Sequence, residues 1–219
     1  MNKNRHSEYD AMFFKDGYRL GEQAARDIEK EESLFESVEA MYDSVDGLIG
    51  SLLTLAGRQG VKVDCRKGCS WCCHQPVFAN TYELRYLARH IRDSFTKEEQ
   101  LQIFLRSEEK NSTAEEMSEK QVLSYKRPCP LLKDGACTAY QARPLACRIY
   151  LSMNVDTCIQ FYQHPDSEES YPALLDFPLR AGRMMNEGFF AALKEHGYTP
   201  KEYRLEEGLV AFLNPEEEH

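Results

Sequence analysis

The sequence predicts a mainly α fold: a helical domain with an irregular cysteine-rich centre. Three observations carry this expectation. Apolar residues recur at Leu34, Val38, Met41, Val45, Leu48, Leu52 and Leu55, the alternating four–three spacing of one helix face. Helix start and stop signals flank both ends of the chain, and no run shows a convincing two-residue strand period. Between those ends, residues 128–158 are broken by Pro128, Pro130, Gly135 and Pro144, which favours loops and short turns.

Taken in order, residues 1–58 read as helix, stopped by Gly57 and Gly60. Residues 61–64 lead into the first cysteines. Asn80 or Thr81 can cap a helix over 82–92, and Thr96 with Glu99 forms a capping box for one near 97–110. Residues 107–120, rich in Ser, Glu and Lys, read as a polar connection or a loose surface helix. A helix over about 173–196 is stopped by Gly197, and a short one follows over 203–213. The expected organisation is an N-terminal helical segment at 1–60, a cysteine-rich domain at 61–165 and C-terminal helices at 166–219 packing on the core.

Composition narrows the function classes. The opening MNKNRHSEYD has no apolar run, so it does not read as a secretory signal. The longest uncharged apolar stretch, Gly47 to Gly57, is too short to span a bilayer. These features predict no membrane association and a cytoplasmic location. A net charge of −9 argues against nucleic-acid binding through a basic surface. The charge is uneven: residues 1–58 carry twelve acids against seven bases. Residues 126–148 hold Lys126, Arg127, Lys133, Arg143 and Arg148 against Asp134 alone, in the stretch that carries three cysteines. Cations there would lower thiol pKa values and balance thiolate charge; the competing reading is a solvated basic surface.

All eight cysteines lie between Cys65 and Cys158. In a reducing compartment, patterned cysteines ligate metal more often than they form disulfides. Cys65, Cys69, Cys72 and Cys73 follow the spacing C-x3-C-x2-C-C, with Gly68 allowing a tight turn. Cys129, Cys137, Cys147 and Cys158 are separated by seven, nine and ten intervening residues, wider than zinc-finger knuckles. Adjacent side chains rarely face one side of a loop, so Cys72 and Cys73 are expected to diverge, one of them serving a second site or standing behind the ligands. The two groups are expected to meet despite the 55 residues between Cys73 and Cys129. All-thiolate ligation suits zinc or an iron–sulfur cluster. His74 and His164 are weaker candidates, better read as surface or neighbouring histidines.

The segments CRKGCSWCC at 65–73 and CPLLKDGACTAYQARPLACRIY at 129–150, with Cys158 beyond, resemble the YkgJ-type, or CxxCxxCC, proteins. The resemblance covers about 62–162. It implies a metal or iron–sulfur centre with Cys65, Cys69, Cys72, Cys73, Cys129, Cys137, Cys147 and Cys158 as ligands. The same cysteine pattern occurs in flagellin lysine N-methylases, which use S-adenosylmethionine. Arg143, Pro144 and Arg148 match motif positions to which the resemblance gives no role. On physical grounds Pro144 stiffens the turn before Cys147, and the arginines either balance thiolate charge or pair with the acidic helices.

Three functional classes stand side by side. The favoured one is an iron–sulfur protein with a redox role. The second is a zinc-stapled adaptor without catalysis, binding an unknown protein partner through the Leu34 to Leu55 face. The third is a methyl- or radical-transfer enzyme, suggested by the C-x3-C-x2-C spacing of Cys65, Cys69 and Cys72. Against the third stand the missing strand–helix alternation of a barrel and the missing glycine-rich nucleotide loop.

Overall fold

The computed structural model describes residues 3–27, 30–167 and 169–214. In chain order the chain forms α1 (Lys3–Ala25), α2 (Glu31–Arg58), a 3-10 turn at Trp71–His74 and β1 (Phe78–Asn80). There follow α3 (Thr81–Ser94), α4 (Lys97–Glu115), α5 (Glu119–Ser124), β2 (Leu132–Lys133), β3 (Ala136–Cys137) and a 3-10 turn at Tyr140–Ala142. The rest is α6 (Leu145–Ile149), α7 (Val155–Gln163), α8 (Asp176–Glu195), β4 (Glu202–Arg204) and α9 (Leu205–Phe212). The fold is mainly α, and its described strands are two or three residues long.

The chain divides into two compact units. A helical unit takes Met1–Val63, Arg148–Leu151 and Leu174–Lys201, and a cysteine unit takes Asp64–Cys147, Ser152–Ala173 and Glu202–His219.

In the helical unit α1 and α2 are separate helices, where one helix over 1–58 was expected. A turn closed by Lys30 N–H donating to Asp27 O at 2.9 Å replaces the helical ladder between them. Glu31 and Glu32 then favour a new helix start, because acids suit the positive end of the helix dipole. Leu34, Val38, Met41 and Val45 of the stripe are buried, as are Phe13, Leu20, Met185 and Phe189 of α1 and α8. The first half of the stripe is therefore spent inside the unit, and Leu55 at its far end is exposed. Helices α1 and α8 approach each other backbone to backbone. A Cβ placed on Gly17 would sit 1.9 Å from Met185 O, and one on Gly188 would sit 2.0 Å from Phe14 O.

In the cysteine unit, β1 pairs antiparallel with β4, matching Phe78 to Arg204 and Asn80 to Glu202. The pair is followed by α3 and α9, whose Leu84, Leu87, Ile91, Leu205 and Leu209 share one buried cluster with Ile103 and Leu131. The expected Thr96–Glu99 capping box opens α4: Glu99 N–H donates to Thr96 Oγ1 at 3.3 Å, and the Glu99 carboxylate accepts from Thr96 N–H at 3.1 Å. Residues 107–120 bury one face of α4 at 107–114 and are mostly exposed elsewhere. Ser107, Lys110, Asn111 and Ala114 are buried on α4, and the polar ones among them have internal partners.

Candidate metal centre

The first cysteine group is shaped by backbone. Gly68 adopts φ +90°, which L side chains rarely do, and Cys69 N–H closes the turn onto Arg66 O at 3.0 Å. Cys65 N–H donates to Ser152 O at 3.1 Å, and the Asp64 carboxylate accepts from Val155 N–H at 3.1 Å. These bonds hold Cys65 against the start of α7, which carries Cys158 with its Sγ 3.9 Å from Asn154 O. Asn154 caps that helix by accepting from Asp156 N–H at 2.9 Å.

The second group hangs on a hairpin. Asp134 (φ 51°) and Gly135 (φ 76°) form the two-residue loop joining β2 to β3, where both central residues need positive φ. This places Cys137 opposite Leu132, while Cys129 O accepts from Leu132 N–H at 2.9 Å. Cys147 lies in α6, its N–H bonded to Pro144 O at 2.9 Å. The first free N–H of α6, on Leu145, donates to the buried Glu83 carboxylate at 2.7 Å. The same carboxylate accepts from Asn80 N–H at 3.2 Å and so completes the capping box of α3. Glu83 thus ties the Cys147 turn to α3. The pattern Asn-x-x-Glu is a sequence signal for half of this role, and nothing in the sequence announces the other half.

The two groups meet. Cys129 N–H donates to Cys73 O at 2.7 Å across 55 intervening residues. The fields of Cys69, Cys72 and Cys158 reach Cys65, and those of Cys129, Cys137 and Cys72 reach Cys147. Cys72 couples to members of both sets. Cys72 and Cys73 stay close to each other within the 3-10 turn at Trp71–His74. Their thiols share a hydrogen bond, which lowers Cys72 to about 7 and pushes Cys73 upward. The 3-10 turn explains this, since its tight winding turns neighbouring side chains by about 120° rather than to opposite faces.

All eight thiols are free of disulfides. Burial pushes up Cys65, Cys137, Cys147 and Cys158, and raises Cys129 to about 12. The Arg143 guanidinium opposes this at Cys72, Cys137 and Cys147. Arg143 is held by Tyr140, lying 3.8 Å from its ring centroid and donating to its carbonyl at 2.6 Å.

The two motif arginines therefore serve different ends. Arg143 faces the thiols, whereas Arg148 is buried against Tyr42 and paired with Asp46 in the helical unit. Lys126 stands over Phe161 at 3.8 Å, while Arg127 and Lys133 are exposed. His74 Nδ1–H donates to Ser70 O at 3.0 Å and the ring packs edge-on to Tyr162, and His164 follows α7.

Residues 64–170 match a family model, CxxCxxCC, for a domain described as zinc- or iron-chelating. The match covers just under half of the chain. It opens at Asp64, the first residue of the cysteine unit, and contains all eight cysteines. No curated protein and no solved structure matches the chain. The donor set of the CxxCxxCC domain fits a thiophilic metal in its chemistry: eight free thiols gathered in one unit, with Arg143 as a cation among them. Among the described residues no three Cys, His, Asp or Glu side chains form a group that could hold an ion as they stand. Outside the match, no described helix is long and apolar enough to cross a membrane.

Proposed function

We propose that the eight cysteines of the CxxCxxCC domain ligate an iron–sulfur centre in a cytoplasmic protein with an electron-transfer role. The observation that supports this best is the meeting of both cysteine groups at the Cys72–Cys73 turn. A single zinc ion takes four thiolates and would leave four without a task. Eight joined through adjacent cysteines suit a polynuclear centre, or two neighbouring ones. On this reading Cys65, Cys69, Cys72 and Cys158 form one set, and Cys73, Cys129, Cys137 and Cys147 the other.

When bound, such a centre supplies one-electron chemistry at a potential set by net charge, hydrogen bonding and burial. The chain's own residues do the rest. Gly68 and the Asp134–Gly135 hairpin aim the thiols, Arg143 offsets their charge, and Pro144 with Glu83 fixes the turn that carries Cys147. The fourth thiol at Cys158 also bears on the radical-enzyme reading, in which three cysteines leave one iron open. A complete four-thiol set favours electron transfer or structural closure over that chemistry.

The test is metal per chain for each Cys→Ser variant, since serine keeps the size and replaces a soft thiolate with a hard hydroxyl. Cys65, Cys69, Cys137 and Cys147 should each lower metal content sharply. With two sets, Cys72 and Cys73 should both matter; with a single centre, one should matter far more than the other. Unchanged metal in all eight variants would show the cysteines to be packing residues.

A further inference from the structure

Cys158 is the most isolated cysteine in the sequence, separated by ten intervening residues from Cys147. Its helix, α7, has nine residues. Helices of that length are marginal on their own in water, so tertiary contacts decide where α7 lies and where it points Cys158. The fold supplies those contacts at two places, and both lead to the first cysteine group.

At the start of the helix the Asp64 carboxylate accepts from Val155 N–H at 3.1 Å, and Ser152 O accepts from Cys65 N–H at 3.1 Å. One turn beyond Cys158, the Tyr162 ring packs on Trp71 with centroids 5.4 Å apart, and edge-on to His74 at 5.2 Å. Trp71 and His74 are the two ends of the 3-10 turn whose middle residues are Cys72 and Cys73. Residues i and i+4 share one face of an α-helix, so Cys158 and Tyr162 are presented on the same side. Cys158 is buried there and Tyr162 is half-buried. The neighbouring Phe161 meets other partners, with Lys126 Nζ 3.8 Å and the Tyr171 ring 5.9 Å from its centroid.

We propose that Tyr162 and Asp64 are positioning residues of the metal centre, holding α7 against both ends of the first cysteine group so that Cys158 joins its ligands. Tyr162 grips the turn on either side of the Cys72–Cys73 pair, and Asp64 fixes the helix start beside Cys65. Both act through Cys158 rather than on the ion. Groups that orient ligands in this way commonly set metal affinity by about 10- to 100-fold. The inference rests on the reading of the cysteines as ligands.

The test adds Co2+ to the metal-free full chain and reads affinity by competition with a chromophoric chelator. The thiolate-to-cobalt charge-transfer band per bound ion reports how many sulfurs hold it. Tyr162→Ala should weaken binding about 10- to 100-fold and lower the band to the level of Cys158→Ser. Tyr162→Phe keeps the ring and should match wild type. The deciding arm is the double variant C158S/Y162A. If Tyr162 acts through Cys158, its loss costs nothing further once that thiol is gone, and the double variant binds as C158S does.

Lost packing alone would weaken binding equally in both backgrounds and leave the band per ion unchanged, and that result overturns the proposal. Y162F binding as weakly as Y162A overturns it too. If Y162A fails to fold, Asp64 decides. Asp64→Ala should give the weaker band, and Asp64→Asn, which keeps an oxygen to accept from Val155 N–H, should restore it. D64A with wild-type affinity and band overturns the proposal, as does D64N without restoration. A wild type that binds no Co2+ defeats the ligand reading and this proposal with it, an outcome distinct from a wild type that binds with variants that do not differ.

Discussion

Glu83 offers the sharpest link between fold and site. Its carboxylate is buried and accepts two backbone N–H groups, from Asn80 at 3.2 Å and from Leu145 at 2.7 Å. Glu83→Gln keeps the volume but offers one oxygen and one NH2 in place of two oxygens. One hydrogen bond then survives without its charge, and the other becomes a donor facing a donor. A charge-assisted hydrogen bond contributes about 1.5–3 kcal/mol, and an orphaned buried donor costs about 1–3 kcal/mol. The expected loss is therefore about 3 kcal/mol, concentrated where α6 begins.

The assay is hydrogen exchange of the Leu145 and Asn80 amides in the metal-free chain. A 3 kcal/mol loss corresponds to about 100-fold faster exchange if opening is local. Metal content should fall with it, because Cys147 sits two residues beyond Leu145 and takes its direction from that turn. Exchange within threefold of wild type at both amides, with metal content unchanged, would refute the assignment of Glu83 as the clamp.

Two further outcomes follow from the helical unit and from the loops. Gly188→Val should destabilise by about 3 kcal/mol or more, since its Cβ would meet Phe14 O at 2.0 Å and α1 and α8 would have to part. Gly50→Ala, with open space at its Cβ, should instead gain up to about 1 kcal/mol; thermal melts of the pair check both. A metal-free sample should keep most of its far-UV helical signal, because α1, α2 and α8 have their own buried core while 128–158 leans on its ligands. Complete loss of helix on chelation would contradict this.

What the sequence made legible was whatever depends on neighbours in the chain. The Thr96–Glu99 box, the Gly68 turn and the clustering of cysteines are local signals, and each appears as read. The expected approach of the two cysteine groups is seen in the backbone, at the Cys129 N–H to Cys73 O bond, while no three sulfurs are gathered as a ligand set among the described residues. The features that escaped are set by partners far away in sequence. Gly17 and Gly188 read as weak helix positions until the two helices are seen to touch through them. Lys110 looks like one more charge on a polar helix, since its partner Glu206 lies 96 residues on. Arg143 and Arg148 looked alike on paper; a cation five residues further along a short turn and helix reaches a different environment.

The central claim is that the eight thiols hold an iron–sulfur centre. Iron, zinc and acid-labile sulfide, measured per chain on protein purified without oxygen, test it most directly. The account predicts brown protein carrying iron and sulfide in comparable amounts, both lost when Cys65 or Cys147 is replaced by Ser. Colourless protein with stoichiometric zinc and no sulfide would contradict the iron–sulfur reading, and protein with no stoichiometric metal would contradict the claim that these cysteines are ligands.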